Sequence, residues 1–364
     1  KQSCEKAIAL LNTMFYVGVP PNIYHFNAAI SACESVGKWE MALGMLDWMR
    51  SLFIIPDVIS FNAAISACAK GGQSGHAMSL LYQMTSLGLS PTVISFGAAI
   101  DACARAGQWE EAIALLGRMS EAGLQPNTIT FNAAARACER GRHWAAALQL
   151  LHTMRENSVA PDAVTFTAVI NTCGRAGQWT SALHAFSELL EEGIKPDAYV
   201  YSALISACEK GHQWDIALRL LSELMETAPA KADVVVFSSA ISACEKGGLW
   251  QHALDILDMM LLRSDVSPNV CSFNAAIGAC ETGRRWEHAL GLLSSMRRMK
   301  IPPDVAAFNA AMGACGECGH WELALEQLSQ MRAHGVKPNA SSLRTAVRSC
   351  NVGQQWARAL RVFR

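Results

Sequence analysis

The chain has no surplus of charge of either sign. Its 30 Lys and Arg stand against 31 Asp and Glu, a formal net charge of −1, so bulk charge does not announce a nucleic-acid partner. Nor does it have a long hydrophobic run. None approaches the roughly 20 residues that a membrane span needs, and no membrane association is expected. Strand-forming residues are few while alanine, leucine and methionine abound, which predicts an all-α chain. A phosphate-binding glycine loop and a nucleophile elbow are both missing. A deaminase-type zinc site would need two ligand groups at metal spacing. The chain offers one C-x-x-C, Cys315-Gly316-Glu317-Cys318, with His320 nearby and no second cluster. No catalytic residue, metal or cofactor is expected, so the chain reads as a non-enzyme. The other histidines are scattered; His143, His212 and His320 fall at or beside turns, where solvated polar residues are expected.

What the chain does have is a period. The block Phe26-Asn27-Ala28-Ala29-Ile30-Ser31-Ala32-Cys33, followed by Gly37, Trp39, Ala42-Leu43, Met49 and Pro56-Asp57, recurs every 35 residues. Tryptophan marks it at Trp39, Trp109, Trp144, Trp179, Trp214, Trp250, Trp286, Trp321 and Trp356, with Ser74 in the second repeat. A fixed period of this size means a solenoid of stacked units. Hydrophobic residues make up 51% of the chain, ample for a continuous core. The expectation is one array over residues 1–364: nine complete repeats at 23–339, with partial ones at 1–22 and 340–364. The chain opens at Lys1 and stops at Arg364 inside helix-like segments, so any targeting peptide, cap or extra domain is expected to have been cut off, and its absence here is uninformative. The partial repeats leave Leu10, Met14, Leu360 and Phe363 without a stacking neighbour, and weak end-to-end self-association is expected.

Within a unit counted from Ile23, positions four, seven, eight and eleven (Phe26, Ala29, Ile30, Cys33) form the i, i+3, i+4, i+7 stripe of an amphipathic helix. Gly37 ends this helix A. A second stripe through Trp39, Ala42, Leu43, Leu46 and Met49 defines helix B. Ten of the thirteen cysteines occupy position eleven: Cys33, Cys68, Cys103, Cys138, Cys173, Cys208, Cys244, Cys280, Cys315 and Cys350. Stacking sets these ten about one repeat apart, too far to bridge, and they read as buried structural thiols of a reducing compartment. Cys4 takes the tryptophan position of the first partial repeat, while Cys271 and Cys318 stand apart.

The opposite face of helix A is not uniformly polar. Its second position carries Tyr24, Ile59, Ile94, Ile129, Val164, Tyr199 and Val235. Such a row is either a contact surface or packing for the preceding loop. Position thirteen carries Lys70, Arg105, Arg140, Arg175, Lys210 and Lys246 in six successive repeats. These cations either form a local basic stripe or complement a helix C-terminus.

The period, the Phe-Asn opening of helix A (Phe26-Asn27, Phe61-Asn62, Phe131-Asn132, Phe273-Asn274, Phe308-Asn309), the Ala-Leu and Met of helix B and the closing Pro-Asp or Pro-Asn carry a resemblance. The chain resembles the pentatricopeptide repeat family, as a P-type array of about ten repeats. The resemblance implies a right-handed α-solenoid superhelix that binds single-stranded RNA in a chloroplast or mitochondrion, reading about one base per repeat in RNA stabilisation, processing or translation. It implies that the fifth and last residues of each repeat read a base edge, that the second-position row packs on base faces, and that the position-thirteen cations meet phosphates.

Carried over residue by residue, Asn27 with Asp57, Asn132 with Asp162 and Asn274 with Asp304 look like uracil readers. Thr167 with Asp197 and Ser202 with Asp233 look like guanine readers, and Ser238 with Asn269 an adenine reader. Asn309 with Asn339 should take a pyrimidine, cytosine preferred. Asn62 with Thr92 departs from the common pairs and is read as a pyrimidine position. Gly97 with Asn127 has no side chain at the fifth position and leaves its base open. With RNA running 5′ to 3′ along the chain, the implied site is 5′-U-Y-N-U-G-G-A-U-Y-3′, Y being a pyrimidine. The last residue of each unit also suits helix N-capping. The alternative function is a protein-interaction scaffold that holds an extended peptide on the same face.

Overall fold

The structure, a computed structural model, describes residues 2–227, 232–263 and 265–355. Among these are twenty α-helices and no strand. The chain forms two compact units, one of residues 1–176 and 184–195, the other of residues 177–183 and 196–364.

The first unit contains α1 (Gln2–Tyr16), α2 (Ile23–Val36), α3 (Trp39–Ser51), α4 (Val58–Lys70), α5 (Ser74–Ser86), α6 (Val93–Ala106), α7 (Trp109–Glu121), α8 (Thr128–Gly141), α9 (Trp144–Glu156) and α10 (Ala163–Arg175). Helix α11 (Trp179–Glu191) contributes residues to both units. The second unit continues with α12 (Ala198–Lys210), α13 (Trp214–Thr227), α14 (Val234–Gly247), α15 (Trp250–Leu262), α16 (Val270–Thr282), α17 (Trp286–Arg298), α18 (Val305–Glu317), α19 (Trp321–Ala333) and α20 (Ala340–Val352).

Even-numbered helices are the expected helices A and odd-numbered ones the helices B. Helices A pack on one another in order, α2 on α4 on α6 on α8 on α10, and separately α12 on α14 on α16 on α18 on α20. Each intervening helix B packs on the two helices A that flank it in sequence, as α7 does on α6 and α8. This is an all-α solenoid. Helix A buries the predicted stripe: Phe26, Ala29, Ile30 and Cys33 are all 0–1% exposed. Phe61, Phe131, Phe166, Phe237, Phe273 and Phe308 repeat the fourth position among the largest fully buried side chains.

Each helix A is started by the closing residue of the unit before it. Asp57 accepts a hydrogen bond from the Ser60 N–H at 2.8 Å with extended backbone, and Ser60 completes a capping box. The period-marking tryptophan opens helix B and lies against the end of the next helix A. At Gly71, Gly211, Gly283 and Gly353 a Cβ would run into the indole of Trp39, Trp179, Trp250 and Trp321 respectively. The glycine at the end of helix A is therefore required by its neighbour's tryptophan rather than by its own backbone, which has a φ of −77° to −81° at these four positions. The turn histidines are not merely solvated: His143 stacks on Trp109 with ring centroids 3.9 Å apart, and His320 lies 4.5 Å from Trp286.

All ten position-eleven cysteines are buried. Burial pushes the Cys138 thiol up to about 12 and those of Cys173 and Cys280 up to about 11, so they behave as apolar filler. Cys4 is buried too, with its Sγ 2.7 Å from that of Cys33. Cys318 donates to the Arg284 carbonyl at 3.3 Å, and Cys271 is exposed. No group of His, Cys, Asp or Glu among the described residues could hold a metal ion. No described helix is long and apolar enough to cross a membrane. Leu10 is exposed and Met14 half-buried, while Leu360, Phe363 and Trp356 lie outside the described residues.

Candidate functional site

The face of helices A turned away from helices B carries all three rows singled out in the sequence. The second-position row is solvent-exposed. Tyr24 is 78% exposed, Ile129 73% and Tyr199 72%, with Ile59, Ile94, Val164 and Val235 also exposed. Packing under the preceding loop would have buried them, so the row is a bare apolar surface. The row ends at the exposed Cys271 and Ala306, which take the second position in the eighth and ninth repeats.

Beside this row, the fifth residue of a repeat meets the last residue of the same repeat. The Asn27 Nδ2 donates to Asp57 at 3.2 Å. Asn132 donates to both oxygens of Asp162 at 3.1 and 3.0 Å, and Asn274 to both oxygens of Asp304 at 3.1 Å. Asn62 reaches Thr92 at 3.5 Å. Residues 30 apart in sequence thus form one polar unit with a donor and an acceptor side by side. Capping and pairing do not compete. The Asp162 Oδ1 accepts from the Thr165 N–H at 2.8 Å while its other oxygen also receives Asn132. At Asp57 burial raises the carboxyl, but hydrogen bonds from Ser60, Asn27 and Ile59 outweigh it and hold the group below its ordinary range. It is a charged acceptor at neutral pH.

The remaining pairs differ. The Thr167 hydroxyl donates to the carbonyl of Ala163 at 2.6 Å, which leaves its oxygen free only to accept. Asp197 caps Val200 at 3.0 Å. Asp233 caps Val235 and Val236 at 3.1 and 3.0 Å, while Ser202, at the fifth position, is half-buried. Ser238 shares a hydrogen bond with Ser272 at 2.8 Å, and Asn269 caps Ser272 at 2.9 Å. Asn309 is half-buried, and Asn339 caps Ser342 at 2.9 Å. At Gly97 the face opens into a recess of about 500 Å³ bordered by Ile59, Ile94 and Ile129. A Cβ there would touch only the Thr130 methyl, at 3.6 Å.

Sequence reasoning missed what the position-thirteen cations do. Three of them form ion pairs with the preceding helix A. Lys70 meets Glu34 at 3.1 Å, Arg175 meets Glu139 at 3.4 Å and Lys246 meets Glu209 at 2.9 Å. Arg105 meets Asp101 of its own helix at 3.0 Å, and Arg140 donates to the Arg105 carbonyl of the preceding helix A at 2.9 Å. Lys210 is exposed and has no ion-pair partner among the described residues. The pairs remain open to solvent, so they are cations shared with carboxylates rather than buried bridges. In the eighth and ninth repeats the position holds Thr282 and Glu317. There, Glu245 and Glu281 fold over Gly278 and Gly313, where any Cβ would collide with their carboxylates. Burial, reinforced by the charges of Glu245 and Glu317 and opposed by Arg348, pushes Glu281 up to about 7.

Comparisons with known proteins agree with the repeat architecture. The family model for the PPR repeat family matches residues 21–70, 56–105, 91–140 and 163–210. That for the pentatricopeptide repeat domain matches 135–176, 219–283 and 291–342, and the PPR repeat model matches 199–226 and 271–301. No curated protein matches the chain significantly. Among solved structures, the chain is similar to the pentatricopeptide repeat protein PPR10 bound to an 18-nucleotide psaJ RNA element. It is 19% identical, with a TM-score of 0.65, over 99% of this chain and 57% of that one. A triple cysteine-to-serine variant of PPR10 with the same RNA gives the same values. The likeness shows the fold, and this chain spans 57% of the length of that relative.

Proposed function

The chain belongs to the pentatricopeptide repeat family, and from that premise we propose that it binds single-stranded RNA, one nucleotide per repeat, by recognition rather than catalysis. The observation that carries this reading is the Asn–Asp unit. In the first, fourth and eighth repeats the fifth and last side chains are joined at 3.0–3.2 Å beside the exposed helix A face. A joined donor and acceptor match the carbonyl and N3–H of a uracil edge, while neighbouring second-position side chains, such as Ile129 and Val164, supply apolar surface for the base faces. Both PPR10 structures contain RNA. The proposed site is 5′-U-Y-N-U-G-G-A-U-Y-3′, and the setting is an organelle, where such a protein would protect or present a transcript.

The test is direct binding of a nine-nucleotide RNA of this sequence, compared with a scrambled RNA of equal composition. Preference for the ordered site is expected. Equal binding of both would overturn base reading. If neither binds while an extended peptide does, the same face is a peptide groove.

A further inference from the structure

The fifth-position asparagines do not stand in equal surroundings. In the first unit each amide is held from two sides. Its Nδ2 donates to the last residue of its own repeat, and its Oδ1 accepts from a hydroxyl at position three of the following repeat. Ser60 donates to Asn27, Ser95 to Asn62 and Thr165 to Asn132, each at 2.5 Å. The three hydroxyls sit in side chains that are fully buried.

The later asparagines lack the inner hold. Position three after Asn274 is Ala307, which has nothing to donate. After Asn309 it is Ser342, whose hydroxyl donates to Asn339 at 3.0 Å instead. The Oδ1 atoms of Asn274 and Asn309 are both buried without a hydrogen-bond partner. A buried carbonyl oxygen left unpaired is unfavourable and biases its side chain toward any position that finds a donor.

We propose that position three of the following repeat is a positioning residue that sets how sharply an asparagine reads its base. This rests on the base-reading function proposed above. Where a hydroxyl donates to the Oδ1, the amide has one orientation and offers the base an N–H at a fixed place. Where that bond is absent, as at Asn274 and Asn309, the Oδ1 is not held and the amide can shift to meet either pyrimidine. The first and fourth repeats therefore discriminate uracil from cytosine sharply, while the eighth keeps its uracil preference only weakly and the ninth accepts both pyrimidines. Recognition that depends on placement within a fraction of an ångström needs this kind of support from behind.

The experiment measures affinity for RNAs that carry U or C at the nucleotide facing Asn132 or at the one facing Asn274. Thr165→Val keeps the shape and removes the hydroxyl; Ala307→Ser supplies one. The U-over-C ratio should fall about two- to tenfold at the first nucleotide in Thr165→Val, and rise by a similar factor at the second in Ala307→Ser, the worth of one net hydrogen bond. A merely structural role would weaken both RNAs together and lower the melting temperature without moving the ratio, and that result would overturn the proposal. Ratios unchanged in both variants while the wild type prefers U facing Asn132 would overturn it and leave the base-reading function intact. A wild type that prefers U at neither nucleotide would remove the base-reading function, and the proposal with it.

Discussion

Asn132 and Asn274 are the same residue at the same place in a repeat, and each donates to both oxygens of an aspartate at 3.0–3.1 Å. Their surroundings differ in three ways. Asn132 has a hydroxyl behind it, and Asn274 has Ala307. The second-position side chains around Asn132 are Ile129 and Val164, whereas those around Asn274 are Cys271 and Ala306. The end of helix A carries Arg140 in the fourth repeat and Thr282 in the eighth. Three independent positions thus weaken together in the last two repeats. The lesson is that a repeat can keep its fold and its reading pair while losing the supports that make reading sharp, so the 5′ part of the proposed site should dominate both affinity and selectivity.

The frame, in contrast, is uniform, and the largest expected effect tests that. Phe131→Ala in the first unit and Phe273→Ala in the second should each destabilise the protein by about 3–5 kcal/mol, the usual range for deleting a buried ring. Both rings are 0–1% exposed. Chemical denaturation of the two variants checks it. If the Phe273 variant loses far less than the Phe131 variant, the eighth repeat is poorly packed, and its weak supports are a matter of folding rather than of surface chemistry.

The next effect changes the base read rather than the strength of reading. The Thr167 hydroxyl spends its proton on the carbonyl of Ala163, so its oxygen can only accept, which suits the N–H donors of guanine. Thr167→Asn replaces that acceptor with an amide like those of Asn132 and Asn274. Preference at this one nucleotide should move from G to U by roughly 5- to 100-fold, taking about 1–3 kcal/mol for a good bidentate base contact. Affinity for four RNAs that differ only there is the measurement. An unchanged ranking would defeat the one-repeat-one-base reading at this position.

The frame and the rows were legible because they depend on local spacing. Trp39 and its successors give the period, Phe26-Ala29-Ile30-Cys33 gives the buried stripe, and Pro56-Asp57 gives the cap. What was not legible depends on the stacking of one repeat on the next. The sequence shows Lys70 at the end of a helix but not that Glu34 of the previous unit reaches it, because that contact depends on how far successive helices A are offset. Thr165 completes the capping box of its helix, and its hydroxyl also reaches back to Asn132, a contact that only stacking creates. Cys4 stood at a tryptophan position in the sequence, and only the packing brings it against Cys33. The signal that could have found the cation pairs was present: Glu34, Glu139 and Glu209 each occupy position twelve one unit before a position-thirteen cation.

The acidic end of the second unit gives a smaller, pH-dependent effect. Glu281 is pushed from 4.5 up to about 7 by burial first and by Glu245 and Glu317 next. Between those values the folded chain holds a proton that the unfolded chain has lost. Stability therefore falls as pH rises through this window and levels off above it. Glu281→Gln should raise the melting temperature at pH 8, change it little at pH 5, and flatten the difference between them. Discounted for partial exposure, the gain at pH 8 is about 1–2 kcal/mol. A variant with the same pH dependence as the wild type would show that Glu281 ionises normally and that the last repeats are not strained by charge.

The smallest effect concerns the cations of the first unit, and it separates binding from stability. Lys70 and Arg175 meet phosphates in the proposed complex only by sharing or leaving Glu34 and Glu139, from which they stand 3.1 and 3.4 Å. The salt dependence of binding should accordingly be shallower than six free cations would give, which at about −0.7 per contact is a log–log slope near −4. Glu34→Gln with Glu139→Gln removes the two competing carboxylates and leaves the cations in place. The slope should steepen, by up to about 0.7 for each cation released, and affinity at low salt should rise a few-fold. Both pairs are part-exposed, and such pairs contribute about 0–1 kcal/mol, so the melting temperature should hardly move. The opposite pair of changes, Arg140→Ala with Arg175→Ala, should make the slope shallower. If neither double variant alters the slope, the position-thirteen cations serve only to tie neighbouring helices A together, and the difference between early and late repeats rests on the hydroxyls and the second-position row alone.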